Sequence, residues 1–195
     1  LSKAQAELAD YGEAVRKVLE HRNRLPGVRT TLVEVLEVPA ELEPAISAVL
    51  GTLLQALLTD GWADARRSLE FLAESNSGRA TFLPLDSLPQ GQEREEVKAD
   101  GVLGLASALI RVREGYEPLL AALLGSTVVV EDLDSARRVH GSHPHLRVVT
   151  LQGHLIGIDG SLTGGSSSPG SLLLAHERER RELPHEIEVL EGQKR

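Results

Sequence analysis

The chain has 195 residues, 41% of them apolar, with 21 basic and 29 acidic side chains and a formal net charge of −8. That size suits one domain, or two small halves sharing a core, and the apolar fraction is too high for a disordered chain. No apolar run reaches the ~18–20 residues that a bilayer requires. Cysteine is absent, which excludes disulfides, thiolate zinc sites and thiol nucleophiles together.

The first residue is Leu1 and methionine is absent, so the chain reads as a piece of a longer one, without a basic-then-apolar leader. Residues 1–25 carry five basic and four acidic groups and residues 171–195 carry five and six, leaving 11 basic against 19 acidic in the middle. Phosphate recognition needs the opposite sign. The five aromatic residues also offer few stacking platforms to single-stranded nucleic acid.

In chain order, Ala4, Leu8, Tyr11, Val15, Val18, Arg22 and Leu25 follow a 4,3 spacing that predicts a coiled-coil helix, stopped by Pro26-Gly27. A surface helix packed on its own domain is the alternative. Val28 to Val38 is β-branched and predicts a strand. From Pro44 the pattern is helical, with Gly51 as its C-cap. After the apolar run Leu53 to Leu58, Trp62 to Leu72 places Ala65, Leu69 and Leu72 on one helical face. Arg79 to Leu83 closes this half.

Asp86 to Asp100 contains only Leu88, Val97 and Ala99 as apolar residues besides Pro89 and reads as a solvated linker. The second half repeats the first. Glu43 to Gly51 and Glu117 to Gly125 share five of nine residues at an offset of 74, with Gly125 again in the C-cap place. Thr127 to Val130, Ala136-Arg137-Arg138 and Arg147 to Leu151 then follow the order of the first copy. Each half therefore reads helix, strand, helix, strand, which builds sheets covered by helices. Gln152 to Gly165 is glycine-dense, Gly164 to Gly170 has linker composition, and Leu183, Ile187 and Leu190 mark a last helix that Pro184 should kink or end.

Catalytic patterns are missing. Gly160 and Gly165 have the separation of a phosphate loop, but Ser166 stands where the loop's lysine must be. His140, His143 and His145 cluster within a Gly-Ser-Pro loop, where a solvated turn is the expectation over a metal site. Glu131, Asp132 and Asp134 begin a helix, where acids complement the macrodipole.

Several stretches together resemble one family, the hinge domain of SMC (structural maintenance of chromosomes) proteins. They are Gly78-Arg79-Ala80-Thr81-Phe82-Leu83-Pro84-Leu85, Ala45 to Gly51, Leu124 to Val130, Val149-Thr150-Leu151-Gln152-Gly153, and Gly160-Ser161-Leu162-Thr163-Gly164-Gly165. The resemblance spans Gly27 to Gly165. It implies a mixed α/β fold of two pseudo-repeated subdomains between antiparallel coiled-coil helices. The expected divisions are an N-terminal coiled-coil helix over 1–25, hinge subdomains over 26–86 and 101–170, a linker over 87–100 and a C-terminal coiled-coil helix over 171–195.

The resemblance further implies a homodimer that joins two arms of a bacterial, cytoplasmic, nucleoid-associated protein of chromosome condensation and segregation. The ATPase heads of that parent lie elsewhere, so this piece is expected to be no enzyme and to need no cofactor, metal, membrane or small-molecule substrate. Gly153, Gly160, Thr163, Gly164 and Gly165 carry over as the dimer contact. Asp159 stands at the first position of the family's earlier glycine pair; if that position needs positive φ, aspartate tolerates it better than most residues, so the contact is expected to be weakened and not lost. Arg22, Arg24, Arg178, Arg180 and Arg181 are the candidates for weak, salt-dependent DNA contact. The competing classes are a monomeric DNA-binding module and a small-ligand-binding α/β domain or enzyme built on Gln152 to Gly165.

Overall fold

The computed structural model describes residues 11–90, 96–166 and 169–193. Ala4 and Leu8 of the first seam, and Ser167 and Ser168 of the last linker, lie outside the described residues. In chain order the elements are α1 (Glu13–Glu20), β1 (Val28–Thr31), α2 (Leu32–Val35), β2 (Leu36–Glu37), α3 (Glu43–Leu50), β3 (Leu57–Thr59), α4 (Trp62–Glu74) and β4 (Phe82–Pro84). Then come β5 (Val102–Leu105), α5 (Ala106–Leu109), β6 (Arg111–Val112), α6 (Glu117–Leu124), β7 (Thr127–Val130), α7 (Leu133–Ser142), β8 (Arg147–Thr150), β9 (Leu155–Ile156), β10 (Leu162–Thr163) and α8 (Pro169–Gln193). Among the described residues no helix is long and apolar enough to cross a membrane.

Two compact units result, Leu1–Val35 with Thr52–Gln90 and Leu36–Gly51 with Gly91–Arg195. The contiguous division expected over 26–86 is thus interrupted. Residues 36–51 leave the first unit because β2 pairs with β6 and α3 packs on α8 and β8.

In the first unit β3 is the central strand, antiparallel to β1 and parallel to β4. The crossover between its parallel strands is α4, whose inner face is Ala65, Ser68 and Leu72. Leu69, expected on that face, is 52% exposed. Ser68 takes its place by donating its hydroxyl to the Asp64 carbonyl, so a polar residue is buried with its hydrogen bond made.

The first seam ends differently from its expectation. Tyr11, Val15, Val18 and Leu25 are buried in the core of their own unit, and the Tyr11 hydroxyl lies 3.0 Å from Thr31 Oγ1. From Tyr11 onward these residues therefore form a packed surface helix and not an open coiled-coil seam. The helix stops at Glu20, five residues before Leu25, where the His21 ring takes the Lys17 carbonyl at 2.8 Å. The strand expected over Val28–Val38 is also broken. Leu32, Val33, Val35 and Leu36 are all buried, and one helical turn turns consecutive residues inward where a strand's alternation would not.

The second unit carries a five-stranded sheet in the order β10-β9-β8-β7-β5. Every residue of β7 is buried, as a central strand covered on both faces requires. β7 runs parallel to β8 through the crossover α7 and antiparallel to β5. Val128, Val130, Val148, Ala136, Val139 and Leu146 close the core with Val97. Val97 belongs to the stretch expected to be a solvated linker, and it is buried because it is the apolar residue available to cover β7.

The two units repeat one plan. A leading strand pairs antiparallel with a middle strand, a helix crosses over, and a third strand pairs parallel; β1, α2 and α3 stand 74 residues before β5, α5 and α6. The helix ends differ. Gly51 adopts φ +51, the left-handed C-cap that glycine allows. Gly125, expected to match it, is right-handed, and a Cβ there would stand 2.5 Å from the Ala121 carbonyl oxygen.

The N-terminus of α7 is capped by Asp132, whose carboxylate accepts from the Ser135 N–H at 2.8 Å. That bond, then the Ser135 hydroxyl, holds the Asp132 carboxyl below the ordinary 3.8. A carboxyl lowered by folding stabilises the fold above the ordinary value and loses that contribution as the pH falls through the lowered one. Asp132→Ala is therefore expected to melt at a lower temperature than the parent chain at pH 7. The gap should close in acid below pH 3.8, as followed by circular dichroism melts across a pH series.

Candidate dimerisation edge

The glycine-dense stretch forms the outer end of the five-stranded sheet. The chain leaves β8, turns at Gly153 and returns as β9, pairing Leu155 with Val149 and Ile156 with Val148. The Thr150 side chain fastens this turn by accepting from the His154 N–H at 3.1 Å. A tight hairpin then leads to β10, with Leu162 opposite Ile156 and Thr163 opposite Leu155.

The hairpin's turn is built by Asp159. Its carboxylate accepts from the Ser161 hydroxyl at 2.6 Å and the Ser161 N–H at 3.0 Å, and the hydroxyl bond first holds its pKa below the ordinary aspartate range. Asp159 does not need positive φ; that conformation falls on Gly160, at +81°. Aspartate therefore anchors the turn through its side chain, in the manner of an Asx turn.

β10 is the last strand of its sheet. Its outer edge has no neighbour among the described residues, which leaves a short row of backbone groups open to pairing. Leu162 is 64% exposed and Ile158, in the preceding turn, 66%. Neither was singled out in the sequence, although an isoleucine and a leucine in a polar, glycine-rich run are the only apolar surface that a hairpin tip could offer.

The five expected contact residues divide into two groups. Thr163 lies on the edge strand and is exposed. Gly160 and Gly165 have open space where a Cβ would point. Gly153 and Gly164 face their own chain: a Cβ on Gly153 would be 3.0 Å from the Pro44 carbonyl oxygen, and one on Gly164 would be 2.5 Å from the His154 ring. Their lack of a side chain serves close packing inside the unit. Behind the edge, between α3 and β10, lies an apolar hollow of about 440 Å³ lined by Pro44, Ala48, Leu155, Thr163, Gly164 and Gly165, with no charged residue in its wall.

Each of the five arginines has an internal partner. Arg22 donates to the Arg29 carbonyl at 3.0 Å, and the Arg24 guanidinium lies 6.0 Å from the Phe71 ring centre. Arg178 meets Glu43 at 2.5 Å and Glu182 at 3.4 Å, and its hydrogen bond to the largely buried Glu43 raises its pKa further. Arg180 pairs with Glu177 at 2.9 Å, and Arg181 donates to the Leu36 carbonyl at 2.6 Å. The loop expected at His140 to His145 is helical through Ser142. Among the described residues no group of three or more such side chains is placed to hold a metal.

The sequence model of the SMC proteins' flexible hinge domain matches residues 25–140. The chromosome partition protein Smc of Bacillus subtilis is 31% identical over 98% of this chain and 17% of its own length. That of Desulfitobacterium hafniense is 36% identical over 96% of this chain and 16% of its own length. The chain thus spans about a sixth of the curated relatives it matches. Among solved structures, an asymmetric dimer of the Geobacillus stearothermophilus SMC hinge domain superposes with a TM-score of 0.89 at 30% identity, over 98% of this chain and 79% of that one. The Pyrococcus furiosus SMC hinge domain gives 0.65 at 28% identity, over 85% and 90%.

The division of the glycines is testable by stability alone. Gly160→Ala places a Cβ in open space and is expected to lose only the left-handed penalty of about 1–2 kcal/mol. Gly153→Ala adds overlap with the Pro44 carbonyl and should lose about 2 kcal/mol or more beyond that. Paired urea titrations of the two variants check the order.

Proposed function

The chain belongs to the SMC hinge family, and from that premise we propose that it is a homodimerisation joint acting through the β10 edge and no catalyst. The observation that carries the reading is the outermost strand itself. It is short, exposed and partly apolar, and it runs on to Gly165, where a Cβ would point into open space and no side chain keeps a second backbone away. A two-fold interface made by strand edges needs N–H···O distances of about 2.9 Å, which a row of bulky side chains would prevent. In the relatives named Smc the corresponding region is a small part of a long protein. The parent of this chain is read in the same way, as a chromosome condensation and segregation protein whose arms this joint connects.

The last helix supports the arm. α8 packs through Leu173 and Leu174, which are buried, and Arg178 and Arg181 tie it to Glu43 and Leu36. Beyond Arg181 every described residue is exposed. Pro184 does not end it; the helix runs to Gln193, with the proline removing one backbone hydrogen bond. Leu183, Ile187 and Leu190, all more than half exposed, keep the 4,3 spacing of a coiled-coil seam, and an antiparallel helix from the other end of the hinge would cover them. Weak DNA contact at the five arginines is the finer part of this reading. Each must first release the partner described above, so affinity is expected to be low and to fall steeply with salt.

Leu162→Glu tests the joint without touching the core, because the side chain is exposed. Light scattering over a dilution series is expected to give a dimer for the parent chain and a monomer for the variant, with the same far-ultraviolet circular dichroism spectrum for both. A parent chain at monomer mass throughout the series would overturn the reading.

A further inference from the structure

Two apolar features stand beside end strands, one in the three-stranded sheet and one in the five-stranded sheet. The first is Trp62, the only tryptophan in the chain and 66% exposed. The inner face of α4 is made by Ala65, Ser68 and Leu72, so the folding of the first unit makes no use of the indole. Its backbone is nevertheless held in place: the Trp62 N–H donates to Asp86 Oδ1 at 3.0 Å. Asp86 follows closely on β4, an end strand of the three-stranded sheet, and the three residues of β4 are themselves only half-buried.

The second feature is the uncharged hollow of about 440 Å³ between α3 and β10. Pro44, Ala48 and Leu155 give it apolar lining, Gly164 and Gly165 line it as well, and Gln152, Ser47, Ser166 and Ser171 bring amide and hydroxyl oxygens to it. An apolar lining with an amide or hydroxyl acceptor in it suits an indole better than an aliphatic side chain, because tryptophan combines a large ring with an N–H that seeks a partner. The hollow is also continuous with the edge assigned above to the dimer, sharing Thr163, Gly164 and Gly165 with it.

We propose that Trp62 of a second copy of this chain enters the hollow between α3 and β10 and anchors the dimer. The proposal rests on the homodimer reading of the preceding subsection. In a two-fold homodimer the ring and the hollow each occur twice, and a buried tryptophan in a desolvated pocket is the side chain that most often dominates such an interface.

As the single tryptophan, Trp62 reports on itself. The 195-residue chain is diluted through the dimer–monomer transition while light scattering gives the mass and tryptophan emission with iodide quenching gives the exposure. The expected result is blue-shifted, quencher-protected emission in the dimer and red-shifted, quenchable emission in the monomer. Trp62→Ala should keep the parent's circular dichroism spectrum and dissociate about 30-fold more readily. A dimer by mass whose emission stays red and quenchable would overturn the anchor while leaving the dimer intact. A chain that is monomeric at every concentration would overturn both.

Discussion

A β-sheet must end somewhere, and how this one ends governs what the molecule can do. In the second unit the sheet is sealed around β7, whose side chains are wholly buried, and grows less protected strand by strand until β10 lies exposed. Soluble proteins ordinarily shield such an edge with charge, a bulge or a covering helix. Here the open strand leads into glycine, and the nearest carboxylate, Asp159, is spent on its own turn. An edge left unguarded in this way is an invitation to pair, and the rest of the unit holds it rigidly in place. Gly153 lets the β8–β9 turn settle against Pro44, and Thr150 clamps the return.

The same α3 that supports the edge also receives the last helix. Glu43 begins α3 and is largely buried, and it is matched by Arg178 in a short, charge-assisted hydrogen bond. Removing either partner would leave a half-buried charge without compensation, which is more harmful than never having had the pair. α3 therefore touches the arm at its beginning and the glycine strand along its flank, and a proline, one serine and two alanines keep it slim there.

Much of this was legible from the chain. The offset of 74 exposed the repeat because both copies of the Glu-Pro helix kept their caps, and the alternation of elements gave the strand–helix–strand plan. The glycine run marked positions of positive φ and close backbone approach, as Gly153, Gly160 and Gly164 prove to be. What escaped has physical reasons. Val28 to Val38 looked like one strand because β-branched residues do not announce a helical turn when every position is buried. The first seam from Tyr11 onward was taken for coiled coil because a 4,3 spacing fits a packed surface helix equally well over two turns. Asp159 looked like a substituted glycine because a side chain that makes its own turn leaves no trace in periodicity. The transfer of residues 36–51 to the second unit could not be read at all, since nothing local in α3 says which sheet it will cover.

That transfer has a mechanical meaning. The backbone passes between the two compact units three times, after Val35, after Gly51 and after Gln90, so they are laced together and not strung like beads. Cutting this sequence at Gln90 would not yield two autonomous pieces, because the first would carry away the helix that the second unit needs. Traction entering through the termini is shared among three covalent crossings, and a single nick near Gln90 would leave the lacing at the other two unbroken.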